Sequence, residues 1–111
     1  MNSKLKGKRG ELELAKILRG YGFSARRGVQ YKGGQDSPDV LGLEGIHIEC
    51  KRVEKLFLEE AMDQSIEDSG KDMPSVMHRK NGRPWLVTMR LEDWIVIYEG
   101  WRRWESIKDI I

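Results

Sequence analysis

Asp39, Glu49 and Lys51 are the residues of this chain whose types and spacing could carry out hydrolysis. They lie in the run Ser37-Pro38-Asp39-Val40-Leu41-Gly42-Leu43-Glu44-Gly45-Ile46-His47-Ile48-Glu49-Cys50-Lys51-Arg52. Glu49 and Lys51 stand two apart, so in an extended strand their side chains leave the same face. A strand opening at Asp39, turned back by Glu44-Gly45, brings a second carboxylate beside them. Two carboxylates at that separation repel each other, and a divalent cation between them removes the conflict. Mg²⁺ suits such a pair, because it takes oxygen ligands, keeps several waters and completes its shell with a substrate phosphate. Mn²⁺ would be able to substitute. The main-chain carbonyl of Cys50, lying between the two side chains, is a further candidate ligand. Lys51 can orient a water and stabilise charge developing at phosphorus. The chemistry that follows is phosphodiester hydrolysis. An isolated Glu-x-Lys is more often the wet face of an alternating strand. Here Pro38-Asp39 precedes it across a predicted hairpin, and a helix offers a further inward carboxylate.

That helix is predicted over residues 8–21 and ends at Gly20 and Gly22. Leu14, Ile17, Leu18 and Tyr21 gather on one face, and Glu11 projects along the same stripe near the helix start. Glu13 points the other way, toward water. A short strand over 23–28 follows, then a loop through 28–37. The hairpin strands are 39–43 and 46–52, with Ile46, Ile48 and Cys50 on one face and His47, Glu49 and Lys51 on the other. Residues 57–69 have helical periodicity with Gly70 as the stop. Residues 75–80 and 84–89 read as two strands joined by Asn81-Gly82, a strong turn dipeptide. Residues 91–94 form a helical turn before a last strand over 95–98, and the tail after it is amphipathic. The order predicts one α/β domain spanning 1–111, a central mixed sheet flanked by helices.

Composition narrows the function classes. At 111 residues, 39% apolar and 34% charged, the chain is one folded domain. No apolar run reaches the length of a membrane span, and the N-terminus lacks the apolar stretch of a secretory signal. A single cysteine rules out an internal disulfide framework, excludes a multi-cysteine zinc site and fits the cytoplasm. The net charge of +2 hides an asymmetry: residues 1–35 carry nine Lys/Arg against two Glu, and residues 36–77 carry four against eleven Asp/Glu. A basic first third beside an acidic middle fits a protein that grips phosphates with one region. Lys4, Lys6, Lys8, Arg9, Arg26, Arg27, Lys32, Arg52 and Arg79 are the candidate DNA contacts.

Ser37-Pro38-Asp39-Val40 followed by Ile48-Glu49-Cys50-Lys51 resembles the motif of the PD-(D/E)XK nuclease superfamily, whose fold is restriction-endonuclease-like. The opening Gly7-Lys8-Arg9-Gly10-Glu11-Leu12-Glu13-Leu14-Ala15-Lys16-Ile17-Leu18-Arg19-Gly20-Tyr21-Gly22-Phe23 resembles the first helix of archaeal-type Holliday junction resolvases. The stretch 74–89 is similar to small resolvase-type nucleases of phage genomes, which would put the chain in a host cytoplasm. The resemblance implies catalytic residues Glu11, Asp39, Glu49 and Lys51, with Asp39 and Glu49 on the metal and Glu11 acting through water or a second ion. It also implies a homodimer that nicks two opposed strands of a four-way DNA junction. The chain departs from the pattern at Leu12, where an arginine often stands. It departs also in the loop before Asp39, which is longer and has no serine until Ser37. Alternatives are a flap, mismatch or restriction-type nuclease on the same fold, or a non-catalytic DNA-binding module.

Four further groups have plain structural roles as an alternative. His47 shares the strand face of Glu49 but reads first as a solvated strand residue. Gln64 borders the apolar stripe of the second helix and is a candidate accessory group beside the metal. Trp85 and Trp94 are expected in the core, whereas Trp101 and Trp104 bracket Arg102-Arg103 and are expected to cover a dimer interface. Cys50 packs inward and lacks a base that would make it a nucleophile.

Overall fold

The computed structural model describes residues 3–28 and 38–111, with side chains from Gly7 onward. Lys4 and Lys6 as side chains, and Lys32 entirely, lie outside the described residues. The elements are α1 (Ser3–Gly20), β1 (Arg26–Arg27), β2 (Val40–Leu41), β3 (Ile46–Arg52), α2 (Leu58–Asp68), β4 (Met73–Arg79), β5 (Leu86–Met89) and α3 (Leu91–Ile107). The strands form one sheet in the order β1-β2-β3-β4-β5. All neighbours are antiparallel except β3 and β4. That parallel pair requires a crossover, which α2 supplies. The sheet is therefore mixed and flanked by helices, as expected.

Strand β3 lies at the centre. Its Ile48 and Cys50 join Leu14 and Ala15 of α1 with Val40 and Met77 in the apolar core. Gly10 sets how closely α1 approaches: an added Cβ there would lie 2.5 Å from the Cβ of Arg52. The close contact fixes the two glutamates around it, Glu11 toward β1 and Glu13 toward β4. On the other face α2 lays down the small residues Ala61 and Ser65, one turn apart and both buried, with Ser69 just past its end. The Ser65 hydroxyl donates to the Ser75 carbonyl at 2.9 Å, and the Ser75 hydroxyl donates to the His47 carbonyl at 2.9 Å.

Several expectations are corrected. Helix α1 begins at Ser3, five residues earlier than its apolar periodicity indicated. The strand expected over 95–98 is the interior of the 17-residue helix α3. Ile95-Val96-Ile97-Tyr98 has strand-favouring side chains, but a short apolar run does not discriminate strand from helix. Trp94, expected in the core, lies on α3 and is exposed, whereas Trp85 is half-buried and packs against the core. His47 is not solvated: a central strand is covered on both faces, and only 3% of His47 is exposed.

Candidate active site

The antiparallel pairing of β2 with β3 places Asp39 opposite the segment that carries Glu49. The Asp39 N–H donates to the Ile48 carbonyl at 2.9 Å, and the Cys50 N–H donates to Asp39 Oδ2 at 2.8 Å. Gly28 extends the clamp by donating its N–H to the Asp39 carbonyl at 2.8 Å, so tightly that a Cβ at Gly28 would strike the Pro38 carbonyl. Asp39 is thus fixed by backbone on both sides and is buried. In an extended strand the N–H and C=O of one residue leave toward the same edge. The Cys50 carbonyl therefore faces the β2 side, where Asp39 lies.

Glu49 is largely buried and its carboxyl lies beside that of Asp39. Burial pushes the Glu49 carboxyl up to about 7, and the negative charge of Asp39 adds to the shift against the opposing pull of Lys51. Lys51 brings its Nζ to 4.0 Å from Glu49 Oε1. Glu11 reaches the same neighbourhood from α1. Its carboxyl is raised by burial and by the charge of Asp39, partly offset by Arg27, whose Nε lies 2.6 Å from Glu11 Oε1. The four residues singled out by type and spacing are therefore brought together in space.

Asp68, at the last turn of α2, is a neighbour that no local pattern marks. His47, Glu49 and Asp68 each bring one ligand atom to within 4.8 Å of the others. This is the sole such group of three among the described residues, and it differs from the Asp39, Glu49 and Glu11 set expected for a metal. Glu49 thus stands between Asp39 on one side and His47 with Asp68 on the other. Gln64 lies on the exposed surface of α2 and donates to Asp68 Oδ2 at 2.7 Å. It also borders a shallow pocket shared with Lys51 and Ala61. The donor set fits a hard divalent cation: the buried or largely buried carboxylates Glu11, Asp39 and Glu49 crowd together, and a cation between them would relieve the repulsion.

The candidate phosphate contacts divide into two groups. Lys8, Arg9 and Arg26 are exposed on α1 and β1. Arg27, Arg52 and Arg79 face glutamates instead. Glu13, expected in water, accepts from Arg79 Nη1 at 2.6 Å and from the Trp85 indole at 3.1 Å, and Arg52 Nε lies 3.4 Å from it. Burial raises the Glu13 carboxyl, but these donors outweigh it and hold it below the usual carboxylate range. The reason for the correction is that α1 lies across β1, β2 and β3, and the long side chains of Arg79 and Trp85 reach over to its Glu13 flank. Cys50 is inert as a nucleophile: burial, then the nearby Asp39 charge, pushes its thiol well above the ordinary range.

The family model described as archaeal Holliday junction resolvase (Hjc) matches residues 2–97. Among solved structures, the chain is similar to Hjc of Archaeoglobus fulgidus, described as a Holliday junction resolvase from an archaeal hyperthermophile. The likeness has 24% identity and a TM-score of 0.56, and it covers 76% of this chain and 72% of that one. No curated protein matches the sequence.

Proposed function

This chain belongs to the archaeal Holliday junction resolvase (Hjc) family and is a Holliday junction resolvase, and we propose that it works as a divalent-cation-dependent endonuclease whose active site is Glu11, Asp39, Glu49 and Lys51. Asp39, Glu49 and the Cys50 carbonyl would hold the cation, Mg²⁺ or in its place Mn²⁺. When bound, it supplies charge neutralisation at the phosphate and acidifies a water near it. The observation that carries this reading is the adjacent Asp39–Glu49 carboxyl pair with Lys51 Nζ 4.0 Å from Glu49.

The chain's own groups divide the work. Asp39 is held rigidly through the Cys50 N–H, so its second carboxylate oxygen has a fixed direction. Lys51 sits on the rim of the site, 39% exposed, where an ammonium can meet both a water and a phosphate oxygen. It orients the water for attack on phosphorus and stabilises the added negative charge as the bond to the leaving oxygen breaks. Glu11 acts through an intervening water and is itself oriented by Arg27. Lys8, Arg9 and Arg26 contact phosphates from the exposed side of α1 and β1, together with Lys4, Lys6 and Lys32. Arg27, Arg52 and Arg79 contribute positive potential while paired to glutamates. Gln64 steadies Asp68, and His47 packs beneath Glu49.

Two strands must be cut to resolve a junction, so the acting form in this reading is a homodimer with one site per strand. Its substrate is branched DNA in the cytoplasm, and no described helix is long and apolar enough to cross a membrane. Cleavage of a four-way junction with Mg²⁺ by wild type, Asp39→Asn and Lys51→Ala tests the assignment. Loss of cleavage in both variants with junction binding retained is expected. Full activity in either would overturn it.

A further inference from the structure

Helix α3 buries none of its residues within its own chain. At about 100° per residue, its apolar side chains sweep roughly 260° of the circumference. Trp94, Tyr98 and Trp101 follow one ridge, with Trp94 stacked on Tyr98 at 5.3 Å between ring centroids and Tyr98 tilted on Trp101 at 5.8 Å. Ile97, Trp104 and Ile107 continue onto the adjoining flank. Glu92, Glu99, Arg103 and Ser106 make up the continuous polar stripe, and Asp93, Arg102 and Glu105 stand singly within the apolar arc. A helix that rests on one surface needs an apolar stripe a little over 100° wide. One that is apolar over more than twice that arc is built to lie between two surfaces.

The area is that of a stable association. Trp94, Tyr98, Trp101 and Trp104 are 47%, 38%, 54% and 50% exposed. At about 150–250 Å² for a whole aromatic side chain, these four alone offer on the order of 400 Å², the full size of the largest patch on an ordinary monomer. Strand β5, the last strand of the sheet, leads directly into α3 and adds the exposed Leu86 and Val87. With the aliphatic residues of α3 the continuous surface reaches roughly 800–1,000 Å², what one partner contributes to a standard interface.

Charge decides between occupants. Helix α3 carries four acids and two arginines, so a phosphate backbone or an anionic lipid surface is disfavoured. A second copy is favoured, because Arg102 and Glu105 flank the aromatic ridge, and Arg102 on one helix can meet Glu105 on the other across a two-fold axis. The family match ends at residue 97, so most of the aromatic ridge lies beyond it.

We infer that α3 is the arm through which two copies of this chain associate. Each helix packs its aromatic ridge on the partner's α3 and its second apolar flank on the exposed edge strand β5 of the partner. This deepens the dimer reading above and rests on it, but it does not depend on the assignment of the catalytic residues.

The test is the mass of the full chain in solution by light scattering, for wild type, Trp94→Glu/Trp101→Glu and Leu86→Glu. Tryptophan emission of wild type on dilution gives a second readout that needs no variant. The expected result is a wild-type species of twice the 12.9 kDa chain mass, with both variants monomeric and still melting cooperatively. On dilution the wild-type emission should shift to the red as Trp94, Trp101 and Trp104 enter water. Dimeric variants with an emission unchanged through dissociation would overturn α3 as the arm and leave the dimer standing. A monomeric wild type would overturn both, and a monomer that sediments with phosphatidylserine vesicles would assign the face to a membrane instead.

Discussion

The Cys50 backbone N–H donates to Asp39 Oδ2 at 2.8 Å, so one oxygen of the first site carboxylate is committed to the neighbouring strand. This bond ties the chemistry to the register of β2 on β3. It also separates two substitutions that would otherwise look alike. Asn at 39 can turn its carbonyl oxygen to Cys50 N–H and its amide toward Glu49, so Asp39→Asn should fold as wild type does and fail to cleave. Asp39→Ala leaves a buried N–H without an acceptor, at a cost of about 1–3 kcal/mol. Urea denaturation of the two variants checks this, and equal stabilities would refute the structural half of the Asp39 role.

Glu49 provides a pH signature. Its folded carboxyl lies near 7, against an ordinary value of 4.5, because burial and Asp39 disfavour its charge. A carboxyl raised by folding binds its proton more tightly in the native state. Its favourable contribution is therefore complete below about pH 4.5 and is lost as pH rises through 7. The loss is on the order of 3 kcal/mol for this shift. Glu49→Gln removes the titration and keeps a donor toward Asp39. It should abolish cleavage yet make the metal-free protein more stable than wild type at pH 8, an advantage that vanishes near pH 4.5. A variant less stable than wild type at pH 8 would contradict the electrostatic account of this site.

Glu13 joins α1 to β3, to β4 and to the β4–β5 turn through Arg52, Arg79 and Trp85. Each partner is partly exposed, so solvent screens much of the attraction. Truncation still leaves a mostly buried Arg52 short of a carboxylate. Glu13→Ala should destabilise by about 1–2 kcal/mol without changing the chemical step in a single-turnover assay. A slowed chemical step at unchanged stability would move Glu13 into the active site.

Gly10 tests the approach of α1 to the sheet. Alanine favours a helix by about 1 kcal/mol over glycine, so an unconstrained site would gain from Gly10→Ala. Here the new methyl would stand 2.5 Å from Arg52 Cβ, and forcing the helix off β3 costs about 1–3 kcal/mol. The expected outcome is net destabilisation together with reduced cleavage, because Glu11 is the next residue on the helix. A stabilised, fully active variant would mean that the packing of α1 does not position Glu11.

Most of the site was legible because its residues are local in sequence or marked by period. Glu49 and Lys51 share a strand face, Asp39 lies across a short hairpin, and Glu11 follows from its angle on an amphipathic helix. The Asn81-Gly82 turn placed β4 and β5, and the glycine stops placed the ends of α1 and α2. Long-range pairing leaves no local mark in the sequence. Glu13 meets Arg79 across 66 residues, and Asp68 meets His47 and Glu49 only because α2 crosses back over the parallel β3–β4 pair. His47 looked solvated because alternation alone does not tell a central strand from an edge one. Ile95, Val96 and Ile97 of α3 carry strand propensity, and the apolar sweep of the helix becomes meaningful only when nothing in its own chain covers it.

The most direct test of the account is cleavage of a mobile four-way junction beside a flap and a linear duplex of the same sequence, with Mg²⁺ and with the cation chelated. The account predicts paired nicks on opposed strands of the junction alone, dependent on the cation and absent in Lys51→Ala. Equal cutting of the linear duplex, or junction resolution that persists in the chelated sample, would contradict it.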